Sequence, residues 1–177
     1  FALLDIERRR QAEVSIAQAQ ASLQRVIETA PLAIALFDAR STRVLQINQM
    51  ASLFFGRPLE ETMGQVPAAC CEPALATALS GWLQASAASP DAQHHEWRDP
   101  MPDQPELGRV WDVRLVPLDA QGGISPQVLL VASDVTEQRA AEQARLQAAI
   151  SQREALVREV HHRIKNNLQG VAGLLQQ

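Results

Sequence analysis

The sequence predicts an α+β fold: an antiparallel five-stranded sheet with short helices, flanked by N-terminal and C-terminal coiled-coil helices. Three observations predict it. Two strand-like runs, several short helical runs and three further strand-like runs follow one another without βαβ alternation. Heptad patterns bracket this region on both sides. Loops bearing Pro and Gly separate the last three strands, where a parallel sheet would need crossover helices.

Residues 7–28 read as a helix. Ala12, Ile16, Ala19, Leu23 and Val26 keep a d-a-d-a-d register among Arg, Gln and Glu, and Pro31 closes the segment. So weak a seam suits a parallel dimer better than a solitary helix. Residues 32–37 form an apolar strand, 38–42 a polar turn and 44–47 a second strand. Short helices follow at 48–55, ending at Gly56, and at 58–63, ending at Gly64. A longer helix covers 73–87. The closing strands are 93–98, 109–116 and 127–133, separated by loops with Pro100, Pro102, Pro105 and Gly108, then Gly122, Gly123 and Pro126. From Thr136 the chain is helical to its end. Leu32, Ile34, Leu36, Phe54, Leu79, Leu83, Trp111, Val113 and Leu115 are expected to fill the core, with room for a small pocket.

An internal repeat adds to this order. The segment Phe1-Ala-Leu-Leu-Asp5-Ile6-Glu7-Arg8-Arg9-Arg10-Gln11-Ala12-Glu13 echoes residues 130–142, where a strand feeds a helix. The first residues are therefore expected to be the last strand of a preceding domain of the same kind. The resulting division is 1–28 for the end of that unit and its helix, 29–135 for the sheet domain, and 136–177 for the closing helix.

Bulk properties exclude several classes. A net charge of −4 leaves no basic footprint, so nucleic acid is not an expected partner. No apolar run approaches the ~20 residues that span a bilayer, so no membrane attachment is visible in this sequence. Phe1 stands where an initiator Met would, which points to a piece of a longer protein. Cys70 and Cys71 are adjacent and without other cysteines; two thiols in a reducing cytosol is one reading, a vicinal redox switch the other. His94 and His95 fall on one strand and so point to opposite faces, which makes them a poor metal pair. No metal site is expected.

The chemistry concentrates at Glu159-Val160-His161-His162-Arg163-Ile164-Lys165-Asn166-Asn167-Leu168. Val157, Val160 and Ile164 take heptad positions a, d and a. His161 then falls at e beside the core, and His162 at f, facing water. Glu159 lies three residues before His162 and Asn166 four after, so the three share one stripe. An exposed neutral imidazole is a usable nucleophile near pH 7.

Two resemblances follow. The runs P-L-A-I-A-L-F-D, I-N-Q-M-A and L-L-V-A-S-D-V-T-E-Q-R, in this order over roughly residues 20–140, resemble a PAS domain. The string H-H-R-I-K-N-N-L-Q resembles the phosphoacceptor box of sensor histidine kinases, in the class with H-R-x-K-N-N in place of H-E-x-x-x-P. The second resemblance implies that His162 takes a phosphoryl group from ATP, with Mg, and passes it to an aspartate on a response regulator receiver domain. It also implies a cytoplasmic homodimer, and it favours His162 over His161. Glu159 is placed to accept a hydrogen bond from the imidazole Nδ1–H, and Asn166 to orient a water as the corresponding residue does in kinases that double as phosphatases. Arg163 stands where the commoner class has an acid. With Lys165 it either steadies phosphate oxygens or remains an ordinary solvated charge.

The D-V-T-E-Q-R terminus normally joins the last PAS strand to an output helix. Thr136 reads as the helix N-cap, and Asp134 is placed to hold Arg139 or a backbone amide, so these three are the expected signal-transmission residues. No cofactor is identified for the PAS-like region: Cys70 lies outside any light-sensing G-R-N-C-R-F-L-Q box, and His94 and His95 are not on the helix where haem-binding PAS domains carry their ligand. The sequence shows no N-box and no Gly-rich lid, so phosphorylation is expected only in a longer protein. Two alternatives stand beside the kinase reading: a PAS dimerisation module without kinase activity, and a small-ligand-binding receptor domain.

Overall fold

The computed structural model describes residues 2–100 and 108–176; Phe1, Gln177 and the loop prolines Pro102 and Pro105 lie outside the described residues. Eleven elements run in the order α1 (Ala2–Thr29), β1 (Ala33–Asp38), β2 (Val44–Ile47), α2 (Ala51–Phe55), α3 (Leu59–Thr62), α4 (Pro67–Cys70), α5 (Pro73–Ala88), β3 (Gln93–Arg98), β4 (Val110–Leu118), β5 (Gln127–Asp134) and α6 (Thr136–Leu175). Contacts divide the chain into two units, Phe1–Asp134 and Val135–Gln177.

In the first unit the strands make one antiparallel sheet of order β2-β1-β5-β4-β3. The N-terminal β1 lies beside the C-terminal β5, with Leu36 opposite Leu129 and Ala33 opposite Ala132. One face of the sheet is closed by the short helices and α5. Its core joins Ala33, Ala35 and Phe37 of β1, Trp111, Val113 and Leu115 of β4, and Leu130 of β5 to Phe54, Phe55, Leu79 and Leu83 of the helices. Phe37, Phe55, Phe54 and Trp111 form a chain of edge-to-face contacts at centroid separations of 6.3, 5.3 and 5.4 Å. Such pairs add to simple area burial.

The strand β1 is phased opposite to expectation. Ala33, Ala35 and Phe37 point into the core, whereas Leu32, Ile34 and Leu36 are only half-buried. Both faces of β1 are apolar because each is covered. Ile34, Leu36 and Leu129 line a recess of about 90 Å³ on the outer face, together with Ile27 of α1. A run without polar alternation leaves its inward face unmarked. The small Ala33 and Ala35 leave room for Phe54 and Phe55, which explains why the lesser side chains face inward.

Local signals explain the helix ends. Gly56 ends α2 in the left-handed region at φ 70°, and its N–H donates to the Ser52 carbonyl at 2.9 Å. The turn after β1 is tied by Asp38, whose carboxylate accepts from the Ser41 amide at 2.8 Å and the Ser41 hydroxyl at 2.6 Å. Ser125 donates to the same carboxylate at 3.1 Å, and these donors hold its pKa below the ordinary carboxylate value.

Two further expectations are corrected, and one element is new. Ala2–Asp5 are helical and continue α1, where the internal repeat suggests a strand. Ala-Leu-Leu is a strong helix-forming run, and among the described residues no strand pairs with this segment. The turn of helix α4 has no counterpart in the sequence reading; Pro67 at its first position and a four-residue length leave no periodic signal. The cap of α6 falls on Val135 (φ −111°), with no side-chain cap hydrogen bond, and Thr136 is the first helical residue. Strand β5 runs on to Asp134, so Val135 alone separates the strand from α6 in sequence.

Candidate phosphoacceptor site

The second unit is described by α6, a helix of 40 residues without a buried residue. Ala, Gln, Glu, Arg and Leu dominate it, all good helix formers, and no Pro interrupts it. Its apolar seam stands open to solvent in the single chain: Ile150 is 44 % exposed, Val157 49 %, Val160 54 % and Ile164 50 %.

On the same helix, away from that seam, the expected site residues meet as neighbours one turn apart. The Asn166 side-chain amide nitrogen lies 3.2 Å from His162 Nδ1. Arg163 donates from Nη2 to Glu159 Oε1 at 2.7 Å. Residue spacing accounts for both contacts, since positions four apart face each other and an acid N-terminal to a base is the favourable order. The partner at Nδ1 is thus Asn166, and Glu159 is engaged by Arg163, where the sequence placed Glu159 on the imidazole. His161, Lys165 and Asn167 are exposed on the surrounding surface. Arg139 pairs with Glu142 at 3.2 Å within the first turns of α6.

A second feature lies in the sheet unit. A cavity of about 220 Å³ opens among Phe54, Phe55, Leu75 and Trp97, with Glu72 and Asp99 at its wall. The Asp99 carboxylate accepts from the Trp97 indole N–H at 3.0 Å and from the Trp111 indole N–H at 3.3 Å. That acid joins β3 to β4, and sequence reasoning missed it because the joining contacts come from indoles on two different strands. Next to it Trp82 stacks on His95 at 4.5 Å and 11°. Burial and the neighbouring His94 push the His95 pKa down. His94 faces outward on the same strand and pairs with Asp112. Cys70 and Cys71 are buried with their sulfurs 3.7 Å apart. Hydrogen bonding between the two sulfurs lowers the Cys70 pKa and raises that of Cys71, and burial adds to the rise at Cys71. Among the described residues no cluster of three or more His, Cys, Asp or Glu is arranged to hold a metal ion. No helix of the described residues is long and apolar enough to cross a membrane.

The most telling polar residue is one the sequence did not single out. Asn48, 2 % exposed, accepts at Oδ1 from the Ile34 amide (2.9 Å) and the Ala51 amide (3.1 Å). From Nδ2 it donates to the Ile27 carbonyl (2.9 Å) and the Leu32 carbonyl (2.7 Å). One side chain therefore ties the end of α1 to β1 and to the start of α2. The available signal was an Asn directly before a short helix, which marks a capping turn but not its long-range partners.

Known proteins match both units. A family model described as PAS fold matches residues 27–140, and one described as histidine kinase matches residues 159–177. A sensor histidine kinase, PdtaS of Mycolicibacterium smegmatis, is 44 % identical over 64 residues, which cover 36 % of this chain. The match spans 12 % of that relative's length. Among solved structures, the PAS domain of BvgS from Bordetella pertussis superposes with a TM-score of 0.53 at 22 % identity, covering 76 % of this chain and 98 % of that one. A PAS domain from Colwellia psychrerythraea gives 0.51 at 15 % identity, with 67 % and 98 % covered.

Proposed function

Because this chain belongs to the PAS fold family, we propose that it is the sensory and phosphoacceptor portion of a two-component sensor histidine kinase. The observation that carries the reading is the H-R-x-K-N-N string on an exposed helix stripe, inside a segment that matches the histidine kinase family model. In this reading residues 1–28 are a signalling helix, 29–135 the PAS domain, and 136–177 the output coiled coil and the first part of the phosphotransfer helix.

The reaction needs an in-line nucleophile and charge stabilisation more than covalent help from the protein. The Nε2 lone pair of His162 attacks the γ-phosphorus of ATP, held with Mg by a catalytic domain of the longer protein. The bond from that phosphorus to its bridging oxygen breaks, ADP leaves, and the ring gives up its Nδ1 proton to solvent. A receiver-domain aspartate then attacks the phosphoryl group, and the P–N bond breaks. Arg163 and Lys165 are placed to steady phosphate oxygens, Arg163 by leaving Glu159 as a stronger anion arrives. ATP and the receiver place this chemistry in the cytoplasm.

The partner along the helices is a second copy. The open seams of α1 (Ile16, Leu23, Val26) and α6 (Ile150, Val157, Val160, Ile164) recur at heptad spacing, and symmetric pairing covers both at once. Light scattering on the 177-residue chain at high micromolar concentration is expected to give the mass of two copies; one copy would refute the pairing.

Signal passage is assigned to the joint at Asp134, Thr136 and Arg139. An exposed polar joint is worth only ~0–1 kcal/mol, within reach of a ligand-driven shift of ~1–3 kcal/mol. The seam also weakens where Arg153 takes the d position between Ile150 and Val157. The test is phosphotransfer: the longer protein, given γ-labelled ATP, should pass an acid-labile label to a receiver domain. In the same assay Asp134→Ala should alter the ratio of signalled to unsignalled output while the melting temperature barely moves. A protein that takes no label from ATP would return the chain to a purely sensory or dimerising role.

A further inference from the structure

His162 has no carboxylate to hold its ring. The residue after it is Arg163, and Glu159, the acid on its stripe, accepts from Arg163 at 2.7 Å. The side chain at hydrogen-bond distance from the imidazole is Asn166, with its amide 3.2 Å from Nδ1. An imidazole can be phosphorylated at Nε2 only when its ring proton sits on Nδ1, because the protonated nitrogen has no lone pair to offer.

We propose that Asn166 is the positioning residue of His162, and that the direction of its amide selects the reactive tautomer. With Nδ2 toward the ring, Asn166 donates to Nδ1; the ring proton then sits on Nε2 and blocks attack. With the amide turned over, Oδ1 accepts from Nδ1–H, and Nε2 is left bare as the nucleophile. The two ends of an amide are nearly the same size, so the contact keeps its place in either sense. A carboxylate in this position would hold Nδ1–H permanently and favour the charged, non-nucleophilic ring. A neutral amide adds no charge beside the ring and leaves its tautomer free to change. Partner groups approaching from ATP or a receiver domain can thus bias the amide and, through it, the ring. Asn166 touches no reacting atom itself; it acts through His162.

The proposal rests on the reading of His162 as phosphoacceptor, but its first test does not. Nitrogen-15 spectra of histidine-labelled 177-residue chain report the tautomer ratio and titration midpoint of each imidazole, with His162→Gln assigning the signal. An exposed pair four residues apart shifts such a ratio by about twofold. Asn166→Ala is therefore expected to change the Nδ1–H to Nε2–H ratio of His162 by about that factor and to leave His161 unaltered, with helix content unchanged. Asn166→Asp, which only accepts, should drive His162 to Nδ1–H and raise its midpoint. Identical ratios and midpoints in all three proteins would overturn the proposal. In the longer kinase Asn166→Ala should slow labelling of His162, and Asn166→Asp should restore the bare Nε2 below neutrality less well than above it. Equal labelling rates across pH in all three would remove the positioning role. Labelling of some other residue would instead sink the phosphoacceptor reading, even with the tautomer shifts observed.

Discussion

Replacing His162 by Gln in the longer kinase is expected to abolish acid-labile phosphorylation, whereas His161→Gln should leave most of it. Gln keeps polarity, approximate size and helix propensity, so the change removes the nucleophilic nitrogen and little else. The two histidines are neighbours but not equivalents. His161 takes heptad position e, beside Val160 and Ile164, and pairing of two helices would crowd it. His162 at f points away from the seam and has Asn166 on its Nδ1. Retention of label in His162→Gln together with its loss in His161→Gln would falsify the assignment.

The largest effect on stability is expected at Asn48. Cutting it to Ala removes the side-chain partner of two amide N–H groups and two carbonyls, at Ile34, Ala51, Ile27 and Leu32; of these the Ala51 amide keeps the Asn48 backbone carbonyl at 3.1 Å. At ~1 kcal/mol per hydrogen bond, and more where a buried group is left unpaired, the loss is about 3–5 kcal/mol. A domain of this size has only ~5–15 kcal/mol in total. At ~4–8 °C per kcal/mol the melting temperature should fall by about 12–40 °C. Asn48→Asp should be no milder, because its carboxylate would face the Ile27 and Leu32 carbonyls with no proton to donate. Leu45→Ala, on an exposed part of β2, serves as the control and should move the melting temperature little. Thermal unfolding followed by circular dichroism decides it; a fall of less than about 5 °C for Asn48→Ala would mean that water replaces the side chain at little cost.

Much of this was legible in the residues, for physical reasons that differ by element. The strands β4 and β5 and the helix α5 carry periodic apolar residues bounded by Pro and Gly, so they were readable nearly to their ends; β3, with Trp97 as its one apolar side chain, was marked by its flanking Pro90 and Pro100. Strand β1 was readable as a strand but not in phase, because both its faces are apolar and its inward residues are the smaller ones. The site helix was legible because a surface stripe of polar residues at three- and four-residue spacing survives without tertiary context. Its internal wiring was not. Glu159 had two partners within one turn, His162 and Arg163, and the charged one took it. Asn48 stayed hidden since its partners come from elements far apart in the chain, and no spacing rule connects residue 48 to residues 27 and 32 at once. Asp99 stayed hidden because its role depends on the pairing that brings Trp111 of β4 beside Trp97 of β3.

The central claim, that a PAS sensory unit is joined here to a phosphoacceptor helix, is tested most directly by locating the phosphoryl group. The longer protein would be incubated with ATP and Mg, digested at neutral to alkaline pH to protect a phosphoramidate bond, and sequenced by mass spectrometry. One modified residue is expected in the segment 159–177, a phosphohistidine at His162 that is lost in acid. A phosphoryl group on His161, on a serine or threonine, or nowhere in the protein would contradict it.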